Sequence, residues 1–441
     1  MSYDHKFPAG RGITRRRFMR GTALGAAAVA LLPAATVRRL SAADFSGITL
    51  SFMVINPHAG SIDPLSAAFA ELTGATVEAV KVPYDQITAQ ATLDVVSGAN
   101  QHDVFEYWYV DKEALVRDKV LADITDKIDA DKDLDPGDFL GSLYDTYTLV
   151  DGRRYGLPYD GDTHVLFYNR TILERNGLAA PKTWDDYLNV AKTVTAAESG
   201  NGIYGALVLG KQFPIILGST FANRLGGFGG SFLDADGKPS LATPAAIGAV
   251  QALLDAAPHA VPTALETEFG NAIPVFLGGK AGLIEFWTDL GTWAQDPNQS
   301  QIVDQWGVVA MPVGGDNTVH RPALNAGFGF GVSAGSKNPE AAWEFVRMAA
   351  SKEFHVRALT DNTTGVDPTR RSALPAYREF APLQAEAVEQ SIDNAFAWPT
   401  KPQSPELLQA LTDELGDALA GNKSAEEALN SAQSRWEKIL G

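Results

Sequence analysis

The chain has 441 residues, is strongly acidic and contains no cysteine, and these properties exclude several classes of protein. Its 53 Asp and Glu outnumber its 36 Lys and Arg, which gives a formal net charge of −17. A surface of that sign repels the phosphates of nucleic acids and of anionic lipids, so neither is expected as a partner. The length exceeds the roughly 250–300 residues at which a single hydrophobic core stops growing, so two domains are expected.

An export signal is predicted at the amino terminus. Three consecutive arginines (residues 15–17) precede Phe18, and a charge-free apolar stretch follows at residues 21–32. This order is typical of secretory signals, and the adjacent arginines match the twin-arginine pattern. The apolar stretch is well short of the roughly 20 residues that span a bilayer. We therefore expect residues 1–43 to be removed, by cleavage after Ala43, on passage through the twin-arginine (Tat) export machinery.

The chain that remains is expected to be a soluble protein of the periplasm. It has no second apolar stretch long enough to cross a membrane and no cysteine, so it is not a lipoprotein and forms no disulfide. It holds 28 Lys and Arg against 52 Asp and Glu, a net charge of −24. That charge says little about a neutral ligand.

Strands and helices are predicted to alternate from residue 44 onward. Residues 48–54 alternate between apolar and polar, the pattern of a strand with one buried face. The next predicted elements are a helix with Asp63 as N-cap and Pro64 as its first residue, ending at Gly74, a strand at 77–82, a helix at 84–97 and a strand from Asp103. This order implies right-handed crossovers and a largely parallel sheet, with ligands at the carboxyl ends of its strands.

The second half of the chain carries clear helix starts. Thr183 is a predicted N-cap because Asp186 follows three residues later, ahead of an apolar helical pattern. Further predicted elements are strands at 206–209 and 282–286, a glycine-rich loop at 226–230, a helix from Pro339 and a terminal helix capped by Ser424.

Recognisable motifs are spread along the chain. They are Tyr155-Gly156-Leu157-Pro158-Tyr159, Leu166-Phe167-Tyr168-Asn169-Arg170, Pro181-Lys182-Thr183-Trp184-Asp185-Asp186, Phe276-Leu277-Gly278-Gly279-Lys280-Ala281 and Asn325-Ala326-Gly327-Phe328-Gly329-Phe330. In these motifs the sequence resembles extracellular solute-binding proteins of the maltose-binding class, over essentially all of the chain after residue 43. One departure is Glu285-Phe286-Trp287, where that family usually has Gly-x-Trp.

The resemblance implies an α/β fold of two lobes, each a mostly parallel sheet flanked by helices, joined by a hinge. It assigns 44–158 plus 328–368 to lobe one, 165–324 plus 372–441 to lobe two, and 159–164, 325–327 and 369–371 to the hinge crossings. It further implies a monomer that closes its lobes around a ligand and docks on the membrane permease of an ABC importer.

Two aspartates in the first crossing segment are candidate ligand-binding residues. A sugar site needs aromatic faces for C–H groups and fixed polar groups for hydroxyls. Asp160 and Asp162 lie two apart, so an extended segment points both to one face. In the family that the chain resembles, an acidic residue seven positions before the Asn of the Tyr-Asn pair lines the groove, and Asp162 stands seven before Asn169. A hinge carboxylate bonded to backbone is the alternative for both.

Aromatic and loop residues complete the candidate set. Trp287 and Asp289 follow the strand at 282–286, where the resemblance places a stacking aromatic, and Trp108 closes another strand; burial in the core is the alternative for either Trp. The remaining candidates lie in loops: Asn56, Lys211, Gln212, Asn325 and Arg371. A basic side chain in the groove would suit an anionic sugar derivative, whereas a solvated or surface-paired one is the alternative.

Catalytic motifs are weak in this chain. Ser333 lies in a Gly-x-Ser-x-Gly pattern, but the next helix starts only at Pro339, and no aspartate lies between Ser333 and the only later histidine, His355. Asp160 and Asp162, on one strand face, cannot flank a glycosidic bond. Without a metal or nucleotide motif, no cofactor and no enzyme activity are expected. The sequence therefore predicts a periplasmic binding protein for a carbohydrate or polyol, with a secreted glycoside-processing enzyme on a similar scaffold as the alternative.

Replacement of Asp162 tests the candidate identified by motif position. We expect Asp162→Ala to weaken ligand binding by roughly 1.5–3 kcal/mol, because a charged hydrogen bond to a ligand hydroxyl is lost. Titration calorimetry measures the change. An unchanged dissociation constant would remove Asp162 from the site.

Overall fold

The computed structural model describes residues 44–441 except 57, 142, 162, 163, 362, 363 and 393. The predicted export signal and Asp162 therefore lie outside the described residues. Asp44–Gly441 packs as one compact unit. None of the helices in this described part of the chain is long and apolar enough to cross a membrane.

The strands and helices alternate along the chain. In chain order the strands are β1 (Thr49–Ile55), β2 (Thr76–Val82), β3 (Val104–Trp108), β4 (Leu149–Val150), β5 (Arg153–Arg154), β6 (Leu157–Asp160), β7 (His164–Asn169), β8 (Tyr204–Leu207), β9 (Ala281–Trp287), β10 (Trp306–Val309) and β11 (Phe328–Val332). The α-helices are α1 (Ala59–Thr73), α2 (Ile87–Val96), α3 (Lys112–Arg117), α4 (Thr125–Ala130), α5 (Leu143–Thr148), α6 (Arg170–Arg175), α7 (Trp184–Glu198), α8 (Ser219–Gly227), α9 (Pro244–Ala256), α10 (Phe269–Leu277), α11 (Asp289–Gln295), α12 (Pro339–Ala349), α13 (Lys352–Leu359), α14 (Leu374–Phe380), α15 (Ala385–Ile392), α16 (Ser404–Leu419) and α17 (Ala425–Leu440).

Two separate sheets form the centres of two lobes. The first has the strand order β2-β1-β3-β11-β6 and the second β10-β7-β9-β8. Helix α12 packs on β11 of the first sheet, whereas α17 packs on α9, which covers α7 beside the second sheet. Each lobe therefore draws strands or helices from distant parts of the chain.

The expectation of mostly parallel sheets is wrong in detail. In the first sheet β1 pairs in parallel with β2 and β3, but β11 is antiparallel to both β3 and β6. In the second sheet only the β8–β9 pair is parallel, while β7 runs antiparallel to β9 and β10. The reason is topological: β6, β7 and β11 adjoin the points where the chain passes between lobes, and such strands enter a sheet without a right-handed helical crossover.

Buried strands explain how the lobes hold their shape. All seven residues of β9 are buried, which fits a strand covered on both faces. Predicted caps are also in place, because Thr183 with Asp186 and Ser424 with Glu427 each form a reciprocal capping box. The predicted helix starts at Thr183 and Ser424 and the predicted strand at 282–286 are confirmed.

The first helix starts earlier than the sequence predicts. Helix α1 begins at Ala59 rather than at Pro64, which lies inside it, although Gly74 ends it with φ +77° as predicted. The ring of His58 is held by Glu106, and the Ser61 hydroxyl donates to the carbonyl of His58 at 2.7 Å. These contacts turn the chain into a helix directly after β1, and they override the proline signal.

One close helix–strand contact allows a test of the second lobe. A Cβ at Gly205 in β8 would lie 2.3 Å from the carbonyl oxygen and 2.4 Å from the Cα of Ala191 in α7. We expect Gly205→Ala to destabilise the protein by about 1–3 kcal/mol, because backbone must move to admit the methyl group. Gly200→Ala is the matched control, since a Cβ there meets no atom within 4 Å. Urea unfolding of both variants measures the difference, and equal stabilities would contradict the packing described.

Candidate functional site

A cavity of about 210 Å³ lies where strands of both sheets end. We call it the central cavity. The first sheet contributes the end of β1 and the start of β11, and the second contributes the end of β9 with helices α10 and α11. Its lining residues are Ile55, His58, Tyr84, Ile215, Phe269, Ile273, Phe286, Trp287, Asp289, Trp293, Ala326, Phe328, Gly365 and Asp367. This position, beyond the carboxyl ends of β1 and β9, is where α/β sheets bind ligands.

Aromatic rings dominate the wall of the central cavity. The rings of Phe269 and Trp287 meet edge to face, with centroids 4.7 Å apart, and Tyr84 lies 5.7 Å from Phe269. On the opposite side, Phe328 meets the imidazole of His58 at 5.4 Å and nearly perpendicular. Aromatic pairs prefer this edge-to-face arrangement, and together the rings give the cavity an apolar wall.

Two polar groups in this wall have no hydrogen-bond partner among the described residues. They are Nε1 of Trp287, a side chain only 7% exposed, and Oδ1 of Asp289, both out of contact with solvent. A buried donor or acceptor without a partner is costly, so each is a place where a ligand group gains a hydrogen bond.

A buried ion cluster lies at the end of the cavity nearest the first sheet. Nδ1 of His58 lies 2.5 Å from Oε1 of Glu106, whose Oε2 accepts from the backbone N–H of Ile55 at 2.8 Å. Nε2 of His58 lies 3.5 Å from Oδ2 of Asp160. Asp160 in turn accepts from the backbone N–H of Asp367 at 2.6 Å. The cluster thus connects β1, β3 and β6 with the chain segment at 367.

Charges and burial in this cluster raise the pKa values of His58 and Asp289. Burial opposes a charge on His58, but the carboxylates of Glu106 and Asp160 outweigh it and raise the pKa of His58 to about 9. His58 is therefore protonated at neutral pH and donates to Glu106. Burial, with the charge of Asp160 adding to it, raises the pKa of Asp289 to about 7.

Two further cavities continue the cleft. The Trp108 cavity, of about 340 Å³, shares Tyr84, Ile215 and Phe328 with the central cavity. The Asp361 cavity, of about 290 Å³, shares Asp289, Trp293, Gly365 and Asp367 with it. The central cavity is therefore the middle of a longer groove.

Three of the predicted site residues line this groove. Trp287 and Asp289 line the central cavity, and Trp108 lines the cavity named after it, with its own Nε1 unpartnered among the described residues. Asp160 is fully buried behind the wall, in the cluster with His58. Asp162 lies outside the described residues. The ligand-binding role of all five stays a prediction.

The other five predicted residues are not brought to the described cavity walls. Asn56 and Gln212 are exposed, and Lys211 lies 3.9 Å from Glu268 beside the ring of Phe213. None of these three residues lines a described cavity, and their role in ligand binding stays a prediction.

Asn325 and Arg371 have other surroundings. Asn325 is fully buried, where Nδ2 donates to Asn223 at 2.8 Å and Oδ1 accepts from Nε1 of Trp398 at 3.1 Å. Arg371 is exposed, while its neighbour Arg370 is fully buried and pairs with Asp138. The chain folds with Arg370 inward because its guanidinium donates to the carbonyls of Leu134 and Ala350.

Sequence reasoning missed several residues of the site. His58 and Glu106 are 48 positions apart, and no spacing connects them. Phe269 is the first residue of α10, and Asp367 lies in the loop after α13. Neither follows a strand, so position at a strand end does not identify them. Only for His58 was a signal present, because it follows the first predicted strand.

The Gly-x-Ser-x-Gly pattern lies at the end of β11. Ser333 is buried, and its hydroxyl accepts from the backbone N–H of Gly335 at 3.2 Å. Within the described residues, no group of His, Asp and Glu side chains is arranged to hold a metal ion.

Two lobes with a largely aromatic cavity between them define a two-lobed binding protein of the periplasmic type. Residues 57–355 match the family of bacterial extracellular solute-binding proteins. The chain belongs to this family.

Individual relatives are similar over most of their length. A probable amino-acid ABC transporter periplasmic-binding protein of Sinorhizobium fredii is 27% identical over 386 residues, which cover 85% of each chain. A ribitol-bound ABC transporter solute-binding protein from Agrobacterium radiobacter K84 has a TM-score of 0.78 at 25% identity, over 90% of this chain and 100% of that one. Maltose-bound MalE3 of T. maritima has the same TM-score at 23% identity, over 89% and 100%.

Replacement of His58 tests the ion cluster. A histidine with a raised pKa stabilises the fold fully below its unfolded value of 6.5, and this stabilisation is lost as the pH rises to about 9. We expect wild type to lose roughly 3 kcal/mol of unfolding free energy across this window relative to His58→Gln. Urea unfolding at a series of pH values measures it, and parallel pH profiles would contradict the ion cluster.

Proposed function

We propose that this protein is the substrate-binding component of an ABC importer and binds a carbohydrate or polyol in the central cavity. The observation that carries the proposal is an aromatic cavity between two lobes whose wall holds an unpartnered donor on Trp287 and an unpartnered acceptor on Asp289. A sugar or polyol supplies C–H groups for ring faces and hydroxyls that both donate and accept. The ribitol bound by the Agrobacterium relative is a ligand of this chemistry.

The proposed working motion is closure of the lobes about the crossing segments. We assign residues 44–158 plus 328–368 to lobe one, and 165–324 plus 372–441 to lobe two. Next to Asp160, the backbone N–H of Gly161 donates to the carbonyl of Asp367 at 3.3 Å, so two chain segments pass each other near the cavity. A hinge at this point would move the walls of the cavity directly. The closed form would then release its ligand to the membrane permease.

The proposed setting is the periplasm. The twin-arginine pattern and the predicted removal of residues 1–43 support export through the Tat machinery, and the family consists of extracellular proteins. We further propose that the protein acts as a monomer, without cofactor and without catalytic activity.

An anionic ligand is not favoured by the wall of the groove. Among the described residues lining the central, Trp108 and Asp361 cavities there is no Lys or Arg. The one basic side chain there, His58, is bonded to Glu106. A carboxylate or phosphate on the ligand would meet no free cation, so the carbohydrate or polyol itself is the better candidate.

Thermal-shift screening with sugars and polyols, followed by calorimetry, tests the function. We expect stabilisation by at least one compound without product formation, and Trp287→Ala to weaken its binding by about 2 kcal/mol, because aromatic area and a donor are lost. Trp343→Ala is the matched control, since Trp343 is equally buried, at 8% exposure, but lies on α12 away from the described cavities. Equal affinities for both variants, or turnover of a glycoside, would contradict the proposal.

A further inference from the structure

The charges along the groove are one-sided. Six carboxyl groups line the central, Trp108 and Asp361 cavities, namely those of Asp85, Asp111, Asp289, Asp296, Asp361 and Asp367. Against them, the described lining residues include one basic side chain, His58. A cleft lined by one sign of charge concentrates ligands of the other sign.

The charge of His58 does not balance these carboxyl groups. His58 lies between Glu106 and Asp160, which are both fully buried behind the cavity wall. Two carboxylates therefore already face this one imidazolium. The lining of the groove therefore still holds more carboxyl groups than basic side chains.

The aromatic wall supplies a second feature that favours a cation. Tyr84, Phe269 and Trp287 form a continuous set of rings, with Phe269 in contact with the other two at centroid distances of 5.7 and 4.7 Å. The faces of such rings attract an ammonium group, most strongly at Trp and in a desolvated site. Asp289 lies in the same wall as these rings.

The two unpartnered atoms, Oδ1 of Asp289 and Nε1 of Trp287, indicate which groups the ligand carries. Oδ1 of Asp289 accepts but does not donate when ionised, so it suits an N–H of an ammonium group. Nε1 of Trp287 is a donor only and suits a hydroxyl oxygen. One ammonium group with one nearby hydroxyl satisfies both atoms.

We propose that the ligand is an amino-substituted sugar or polyol, with its protonated amine held by Asp289 against the rings of Phe269 and Trp287. This inference rests on the proposed function and narrows it to a cationic ligand class. It differs from binding of a neutral sugar or polyol because the site would prefer a ligand with a positive charge.

A pH dependence follows from the groups around Asp289. Burial raises the pKa of Asp289 to about 7, Asp160 adds to that effect and His58 opposes it, while Asp367 and Tyr377 also line the adjoining Asp361 cavity. An ammonium ligand binds the ionised carboxylate, so its affinity falls as the pH drops below 7 and Asp289 takes up a proton. Binding of a neutral polyol is much less sensitive to this titration.

Matched ligand pairs test the inference. Calorimetry would compare D-glucitol with 1-amino-1-deoxy-D-glucitol, and D-glucose with 6-amino-6-deoxy-D-glucose, each pair differing by one hydroxyl exchanged for an amine. We expect the amine of at least one pair to bind at least tenfold more tightly than its neutral partner at pH 8, and this advantage to shrink at pH 6. Neutral members that bind as well as their amines, or better, would overturn the inference and leave the proposed function intact. If no member of either pair binds, both are contradicted for these ligands.

Replacement of Asp289 locates the selectivity. In Asp289→Asn we expect the ratio of amine to neutral affinity to fall from at least tenfold to about one, with its dependence on pH abolished. Asp63→Asn is the matched control, since Asp63 is exposed on α1 outside the described cavities, and its ratio should equal that of wild type. An unchanged ratio in Asp289→Asn would overturn the assignment. Should that variant not fold, the pH profile of wild type for the same pairs decides the question.

Discussion

The salt bridge between His58 and Glu106 is the contact on which the geometry of the site depends. Glu106 is a charged residue in the middle of the buried strand β3, where an unpaired carboxylate would be very costly. One of its oxygens bonds His58, and the other accepts a hydrogen bond from the backbone N–H of Ile55. The end of β1 is therefore fixed in position relative to β3. Because His58 immediately precedes α1, the same contact sets where that helix begins, and with it one wall of the cavity.

The second lobe has a comparable buried ion pair. Arg224 of α8 lies 2.7 Å from Glu285 of β9, and Asn223 donates to that carboxylate and bonds His164 of β7. This explains the departure at Glu285: a side chain stands where the family usually has glycine, and it is matched by a fully buried arginine. Removing one member of such a pair leaves the other as an uncompensated buried charge, which is strongly destabilising. The effect of the pair is to hold β9, and hence Trp287 at its end, in a fixed position.

Much of the fold follows from local patterns in the sequence, and much of the site does not. The caps at Thr183 and Ser424, the strand at β1 and the stop at Gly74 depend on neighbours within a few residues, which the sequence displays directly. The predicted start of α1 at Pro64 is wrong, because the contact between His58 and Glu106, 48 residues apart, outweighs the proline signal.

The candidate site residues also fall into two groups, those that the sequence indicates and those that depend on contacts between distant residues. Trp287 and Trp108 could be found because they end strands, and strand ends point to the cleft. Whether Asn325 faces a ligand or a core depends on Asn223 and Trp398, which approach it only in the folded chain. The choice between Arg370 and Arg371 depends likewise on carbonyls more than 200 residues away, in the case of Leu134. Periodicity describes one element at a time, so contacts of this kind lie beyond it.

One short series of contacts connects the candidate ligand site to the proposed hinge. Asp367 is one of the residues that line the central cavity, and its backbone N–H donates to Asp160, which in turn faces His58. A Cβ at Gly161 would lie 2.1 Å from the carbonyl oxygen of Pro368, so at this crossing only glycine lets the two segments pass so closely. A ligand that contacts Asp367 therefore contacts one of the two crossing segments directly. Its binding free energy can be coupled to closure without any longer pathway, because the residues that sense the ligand are next to those about which the lobes would turn.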